Sequence, residues 1–127
     1  MSAEHHLIFV YGTLKRGGSN QHFMRGQTFQ GKGHTTAGFR LINLGTYPGM
    51  IAAPNSSESV SGELWLVDSD CLAQLDALEG LGEGLYRRER IRLLEPFADR
   101  VIETYLFAQD VAGRPTIPDG RWLEPPR

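Results

Sequence analysis

Apolar and polar positions along the chain divide it into short alternating stretches and one helical stretch. Leu7 to Tyr11 is an unbroken apolar run stopped by Gly12, the pattern of a first strand buried on both faces. Lys15 to Ser19 reads as a loop, and Asn20 is placed to cap a short helix over Gln21 to Met24. The glycine-broken stretch from Gly31 to Gly38 leads a strand into Phe39 to Ile42. Gly45 to Gly49 has the punctuation of a turn, and Ala53 to Ser59 that of a polar connection. Val60 to Val67 alternates as a strand. Leu72, Leu75 and Leu78 then recur at helical spacing, with Asp68 or Ser69 as cap before them and Gly80 as the stop after them. Arg87 to Leu94 and Val101 to Ala108 form two further strands joined by a turn near Pro96 to Asp99. The tail from Gly113 to Arg127 carries four prolines and one large aromatic, Trp122, expected to anchor it along the surface. Many strands around one main helix define an α+β domain with a curled sheet or small barrel.

A chain of 127 residues, 40% of them hydrophobic, suits a single domain with one ordinary core. Residues 1–6, which include His5 and His6, are expected to be disordered. The net charge of −2 supplies no basic field for nucleic acid or an anionic membrane. Arg87, Arg88, Arg90 and Arg92 fall on both faces of their strand and read as a solvated edge. The lone Cys71 cannot form an intramolecular disulfide, and no Cys/His spacing resembles a metal site. With neither a signal peptide nor an apolar run of spanning length, the expected setting is cytoplasmic.

One carboxylate stands out of pattern. At 100° per residue Glu79 falls between Leu72 and Leu75, inside the stripe that faces the core. Lost hydration and the negative end of the helix both raise the pKa of a carboxyl held there, towards the range useful for taking and returning a proton. The alternative is a frayed helix end that lets Glu79 reach water. A second signal is the turn Gly12-Thr13-Leu14 after the first strand, where glycine lets backbone N–H groups converge on an anion or a developing oxyanion. Gly12 and Gly17 have P-loop spacing, but Gly18 stands where that motif needs lysine, which excludes a nucleotide site of that kind. Glu63 is the rival carboxylate, expected to pair with an arginine. His22, Cys71, Thr13 and Ser19 have no visible partner arrangement for nucleophilic catalysis.

These segments, in this order, resemble the γ-glutamylcyclotransferase-like superfamily. The resemblance is carried by Phe9-Val10-Tyr11-Gly12-Thr13-Leu14-Lys15-Arg16-Gly17, Gly45-Thr46-Tyr47-Pro48-Gly49 and Gly62-Glu63-Leu64-Trp65. Leu75-Asp76-Ala77-Leu78-Glu79-Gly80, Tyr86-Arg87-Arg88 and Gly120-Arg121-Trp122-Leu123 complete it. It is closest to the γ-glutamylamine cyclotransferase branch and its small bacterial relatives. The resemblance implies a small mixed β-barrel flanked by helices. It also implies an enzyme that cyclises a γ-glutamyl compound to 5-oxoproline and releases an amine. It matches the family's catalytic glutamate to Glu79 and its substrate loop to Tyr11, Gly12, Thr13 and Leu14. Tyr86 and Tyr105 are further expected to line the pocket or to serve as core. The expected chemistry needs neither metal nor cofactor, and the expected partner is a small γ-glutamyl molecule. The competing expectations are a binding module for the same ligands without turnover, and a scaffold whose proline-rich tail docks a partner. The identity of the leaving amine and the oligomeric state are not written in the sequence.

Overall fold

The computed structural model describes residues 4–123. Its strands are β1 (His5–Val10), β2 (Thr28–His34), β3 (Phe39–Asn43), β4 (Pro48–Ala52), β5 (Ser61–Asp68), β6 (Tyr86–Ile91), β7 (Ile102–Phe107) and β8 (Thr116–Ile117). Helix α1 spans Ser69–Leu78, and short 3-10 helices cover Gln21–Met24 and Leu81–Glu83. The eight strands form one mixed sheet in the order β2-β5-β1-β7-β4-β3-β8, with β6 pairing on β7 beside this path. β1 and β4 both run parallel to β7, and the other pairings are antiparallel.

The α+β class agrees with expectation; the word barrel holds only loosely. The ladder does not close. The end of β2 meets the chain beyond β6 through a single isolated bridge, Thr35 to Leu93, rather than through a paired strand. One bridge is enough to curl the sheet without sealing it.

Alternation along the strands sorts the core into two bodies, because successive side chains point to opposite faces. Ile8, Val10, Trp65, Val67 and Tyr105 pack with Cys71, Leu72 and Leu75 of α1. Phe9, Tyr11, Leu64, Ile102 and Leu106 face the other way and pack with Leu41, Met50, Leu93 and Trp122. β1 is apolar throughout its second half because both faces are covered. The side chain of Asp68 caps α1 by accepting from the Cys71 N–H at 2.8 Å, which also holds its carboxyl below the usual range. Gly80, at φ 66°, supplies the left-handed turn that ends the helix immediately after Glu79.

Several local expectations are corrected. β1 begins at His5, so His5 and His6 belong to a paired strand opposite Asp68 and Val67; residues 1–3 lie outside the described residues. The strand expected over Gly31 to Gly38 instead spans Thr28–His34 and is separate from β3. Its pairing with β5 on both sides of a bulge at Phe29/Gly31 outweighs the glycines. The turn at Gly45 ends sooner than expected: Pro48 opens β4, a position where its missing N–H is tolerated. Asn20 precedes the first 3-10 helix, but its side chain makes no cap and bonds to Thr13. The tail is more than a surface strap, for β8 pairs with β3 and Trp122 is 7% exposed within the core. Residues 124–127 lie outside the described residues.

Because Trp122 is buried within the second core body, Trp122→Ala is expected to cost about 3 to 5 kcal/mol. Urea unfolding checks this: the midpoint falls at unchanged slope, and a loss below about 0.5 kcal/mol would make the tail dispensable to the core.

Candidate active site

A cavity of about 350 Å³ opens where the end of β1, the turn before β4, the end of α1 and the strands β6 and β7 meet. Its wall includes Tyr11, Gly12, Thr13, Leu14, Glu79, Tyr86 and Tyr105, so the structure brings every sequence-nominated site residue to one hollow. Val10 ends the apolar strand and the chain leaves the sheet at Tyr11. A side chain at position 12 would overlap the Pro48 ring, its Cβ falling 2.8 Å from Cγ, so only glycine lets the turn before β4 close against this loop. Beyond Gly12 the loop is tied down repeatedly. The Lys15 N–H donates to the Gly12 carbonyl, the Asn20 N–H to the Thr13 carbonyl at 2.9 Å, and the Asn20 amide to Thr13 Oγ1 at 2.9 Å. Among the described residues, the N–H groups of Gly12, Thr13 and Leu14 donate to no protein acceptor.

Glu63 clamps the same loop from β5. Its carboxylate is buried and accepts the Arg16 backbone N–H at 2.9 Å, Arg16 Nε at 3.3 Å and Trp65 Nε1 at 3.1 Å. The Arg16 guanidinium in turn lies 3.7 Å from the centre of the Phe29 ring. The arginine pairing expected of Glu63 is present, and this carboxylate is absent from the cavity wall.

Glu79 follows the last residue of α1 and is half-buried against the cavity. Among the described residues its carboxyl has no hydrogen bond and no ion pair. Burial, uncompensated by any donor, pushes its pKa up to about 7. Four tyrosines line the hollow; Tyr47 is 37% exposed, and the hydroxyls of the three buried ones are committed elsewhere. Tyr11 Oη donates to the Tyr105 carbonyl at 2.6 Å and accepts the Met50 N–H at 3.0 Å. Tyr86 Oη donates to the Pro48 carbonyl at 2.7 Å, and Tyr105 Oη to Asp76 Oδ1 at 2.8 Å. Burial, chiefly, pushes all three phenols far above their ordinary range. These tyrosines are core and cavity wall together.

Of the side chains weighed for nucleophilic catalysis, His22 and Cys71 lie outside the cavity. His22 is exposed on the first 3-10 helix and does not line the cavity. Cys71 is buried under that helix, its thiol 3.5 Å from the Phe23 carbonyl and pushed up to about 11 by burial, far from a reactive thiolate. Thr13 and Ser19 line the cavity, Thr13 with its hydroxyl accepting from Asn20. Sequence reasoning passed over Asn20, Thr46, Tyr47, Pro48 and Leu85 as wall residues. The glycine-flanked turn from Gly45 to Gly49 was the available signal, since such turns next to a strand end often carry binding groups.

An open mixed sheet with, among the described residues, one α-helix is a fold shared with known proteins. A solved AIG2-like protein from Mus musculus superposes with a TM-score of 0.78 at 25% identity, covering 98% of this chain and 97% of that one. The family model described as gamma-glutamyl cyclotransferase, AIG2-like, matches residues 8–124. The gamma-glutamylcyclotransferase family protein YtfP of Escherichia coli (strain K12) is 35% identical over 117 residues, 92% of this chain and 96% of that protein. The gamma-glutamylaminecyclotransferase of Rattus norvegicus is 39% identical over 97 residues, covering 69% of this chain and 64% of the rat protein. The chain belongs to the gamma-glutamyl cyclotransferase, AIG2-like family, a family of cyclotransferase enzymes.

The raised carboxyl has a consequence for stability. Between the ordinary glutamate value of 4.5 and about 7, the folded protein keeps a proton that the unfolded chain has lost. Stability therefore falls as pH rises across that window and levels off above it. Glu79→Gln removes this loss: the variant should match wild type near pH 4 and exceed it at pH 8 by on the order of 3 kcal/mol. Denaturant unfolding at both pH values measures the difference.

Proposed function

We propose that the protein converts a γ-glutamyl amine or γ-glutamyl amino acid to 5-oxoproline and a free amine, with Glu79 as the proton carrier. The observation that carries this reading is the Glu79 carboxyl without a hydrogen-bond partner, titrating near neutrality in the cavity that the Gly12–Leu14 loop also lines. A carboxyl that is half ionised near pH 7 can both accept and return a proton.

The substrate's α-ammonium gives its proton to Glu79, which frees the nitrogen lone pair. That nitrogen attacks the substrate's own γ-carbonyl carbon, a new C–N bond closes a five-membered ring, and negative charge moves to the carbonyl oxygen. The unpaired N–H groups of Gly12, Thr13 and Leu14 suit either that oxygen or the substrate α-carboxylate. As the tetrahedral centre collapses, the original amide C–N bond breaks and Glu79 returns its proton to the departing nitrogen. The ring nitrogen then gives its second proton to the freed Glu79 carboxylate, which passes it to the released amine, so that the products are the neutral lactam and an ammonium. Nucleophile and electrophile belong to one molecule, so holding the bent conformer provides much of the acceleration. Tyr11, Tyr86 and Tyr105, with hydroxyls fixed by the scaffold, supply a rigid wall for that conformer.

Glu79→Gln keeps the shape and removes the shuttle, and should lower the rate of 5-oxoproline release by about 10²- to 10⁴-fold. Chromatographic detection of 5-oxoproline across a small γ-glutamyl library checks this; wild-type turnover by the purified variant would remove Glu79 from the mechanism. Binding without product formation by the native chain would instead mark a non-catalytic module. In the active enzyme, kcat/KM should rise as pH passes through about 7, where Glu79 ionises, and fall once the substrate ammonium loses its proton in solution.

A further inference from the structure

Asp76 lies three residues before Glu79, so the two side chains sit on one face of α1 about one turn apart. Asp76 Oδ1 accepts the Tyr105 hydroxyl at 2.8 Å, while its other carboxylate oxygen pairs with Arg88 of β6. Arg88 is itself 3.4 Å from Glu103 of β7. The Tyr105 ring lines the cavity with Glu79, and the residue that holds its hydroxyl, Asp76, lies one turn before Glu79 along the chain. A phenol O–H beside a carboxylate normally donates to it, which stabilises the charged form and lowers its basicity. Here the only proton of Tyr105 is already given to Asp76. Two further phenols of the wall are likewise committed. Tyr11 at the end of β1 and Tyr86 on β6 donate to carbonyl groups, and Glu83, beside Gly80, brings no proton donor.

We propose that Asp76 is a positioning residue that holds the Tyr105 hydroxyl away from Glu79 and so keeps that phenol from donating to the Glu79 carboxyl. Arg88 and Glu103 hold Asp76 in turn. The ion pair between α1 and β6 thus acts at a distance on the basicity of the proton carrier. This deepens the reading of Glu79 given above, and its consequence for rate rests on that reading.

The test separates the two. Carboxyl ¹³C NMR titration of the labelled protein, with the Glu79 resonance assigned through Glu79→Gln, follows the carboxyl without any turnover. Asp76→Ala frees the Tyr105 hydroxyl, and the Glu79 midpoint should fall by about one pH unit. Asp76→Ala also leaves the Arg88 charge less compensated, which would lower the midpoint for a different reason. The double variant Asp76→Ala/Tyr105→Phe decides between the causes: return to the wild-type midpoint supports the proposal, and a persisting fall overturns it. Absence of any fall in Asp76→Ala also overturns it. Should Asp76→Ala not fold, Tyr105→Phe alone carries the test. Its Glu79 midpoint should stay within a few tenths of wild type, whereas a rise would show that the hydroxyl had been donating to Glu79. If the native chain proves active, the acid limb of kcat/KM should move with the NMR midpoint in each variant. A native chain that releases no 5-oxoproline removes the functional reading and leaves the titration result standing.

Discussion

A half-buried carboxyl group to which no described residue donates a hydrogen bond is the constraint on which the site depends. Ordinary protein interiors avoid this arrangement, since an unpaired buried carboxyl either takes a partner or holds its proton. Glu79 holds its proton part of the time, near neutrality, because burial is the only influence of consequence on it. The surrounding structure sustains that condition through bonds that Glu79 does not make. Carbonyl groups of β7 and of the turn opening β4 take the Tyr11 and Tyr86 protons, and Asp76 takes that of Tyr105. Those same bonds fasten the loop, the turn and the helix to one another. Rigidity of the hollow and basicity of its carboxyl therefore have a common origin.

The loop after β1 is governed by the opposite logic. Its outer part is heavily bonded, with Glu63 gathering three N–H groups from Arg16 and Trp65, and Asn20 holding Thr13 by both backbone and side chain. Its inner part, Gly12 to Leu14, spends no N–H on the described residues. A buried carboxylate thus stiffens the loop from behind while the face turned to the cavity stays available for an acceptor. The cost of burying Glu63 is offset by full hydrogen bonding, and the benefit falls on residues several positions away. Of two carboxylates near the loop, Glu63 is saturated with donors and Glu79 has none among the described residues.

The parallel pairing of β1 and β4 with β7 sets this geometry. β7 brings Tyr105 between the ends of two strands that are remote in sequence, and β6, hydrogen-bonded to β7, supplies Tyr86 and Arg88. Curling of the sheet through the Thr35 to Leu93 bridge encloses the second core body and makes room for Trp122 to seal it. The tail, read from its prolines as a surface strap, is drawn into the fold by that one aromatic and by two residues of β8.

What the sequence determined was local and periodic. Alternation in Val60 to Val67, the leucine spacing from Leu72 to Leu78 and the glycine stops at Gly12 and Gly80 fix elements within a few residues, because each reflects backbone geometry that neighbouring residues impose. The misplacement of Glu79 on an apolar stripe was visible for the same reason, since helical periodicity alone reveals a charged group facing inward. Pairing between distant segments left no such mark. The strand Pro48–Ala52 was hidden behind a turn signal, β2 was blurred by its glycines, and the cavity role of Thr46, Tyr47 and Asn20 depended on which loops the sheet brings together. Whether Tyr11, Tyr86 and Tyr105 were core or site could not be divided at the level of sequence, and in the folded chain each is both. Only tertiary structure decided where their hydroxyl protons go, because a hydrogen bond joins atoms by distance and angle, and those are set by packing across the sheet rather than by order along the chain.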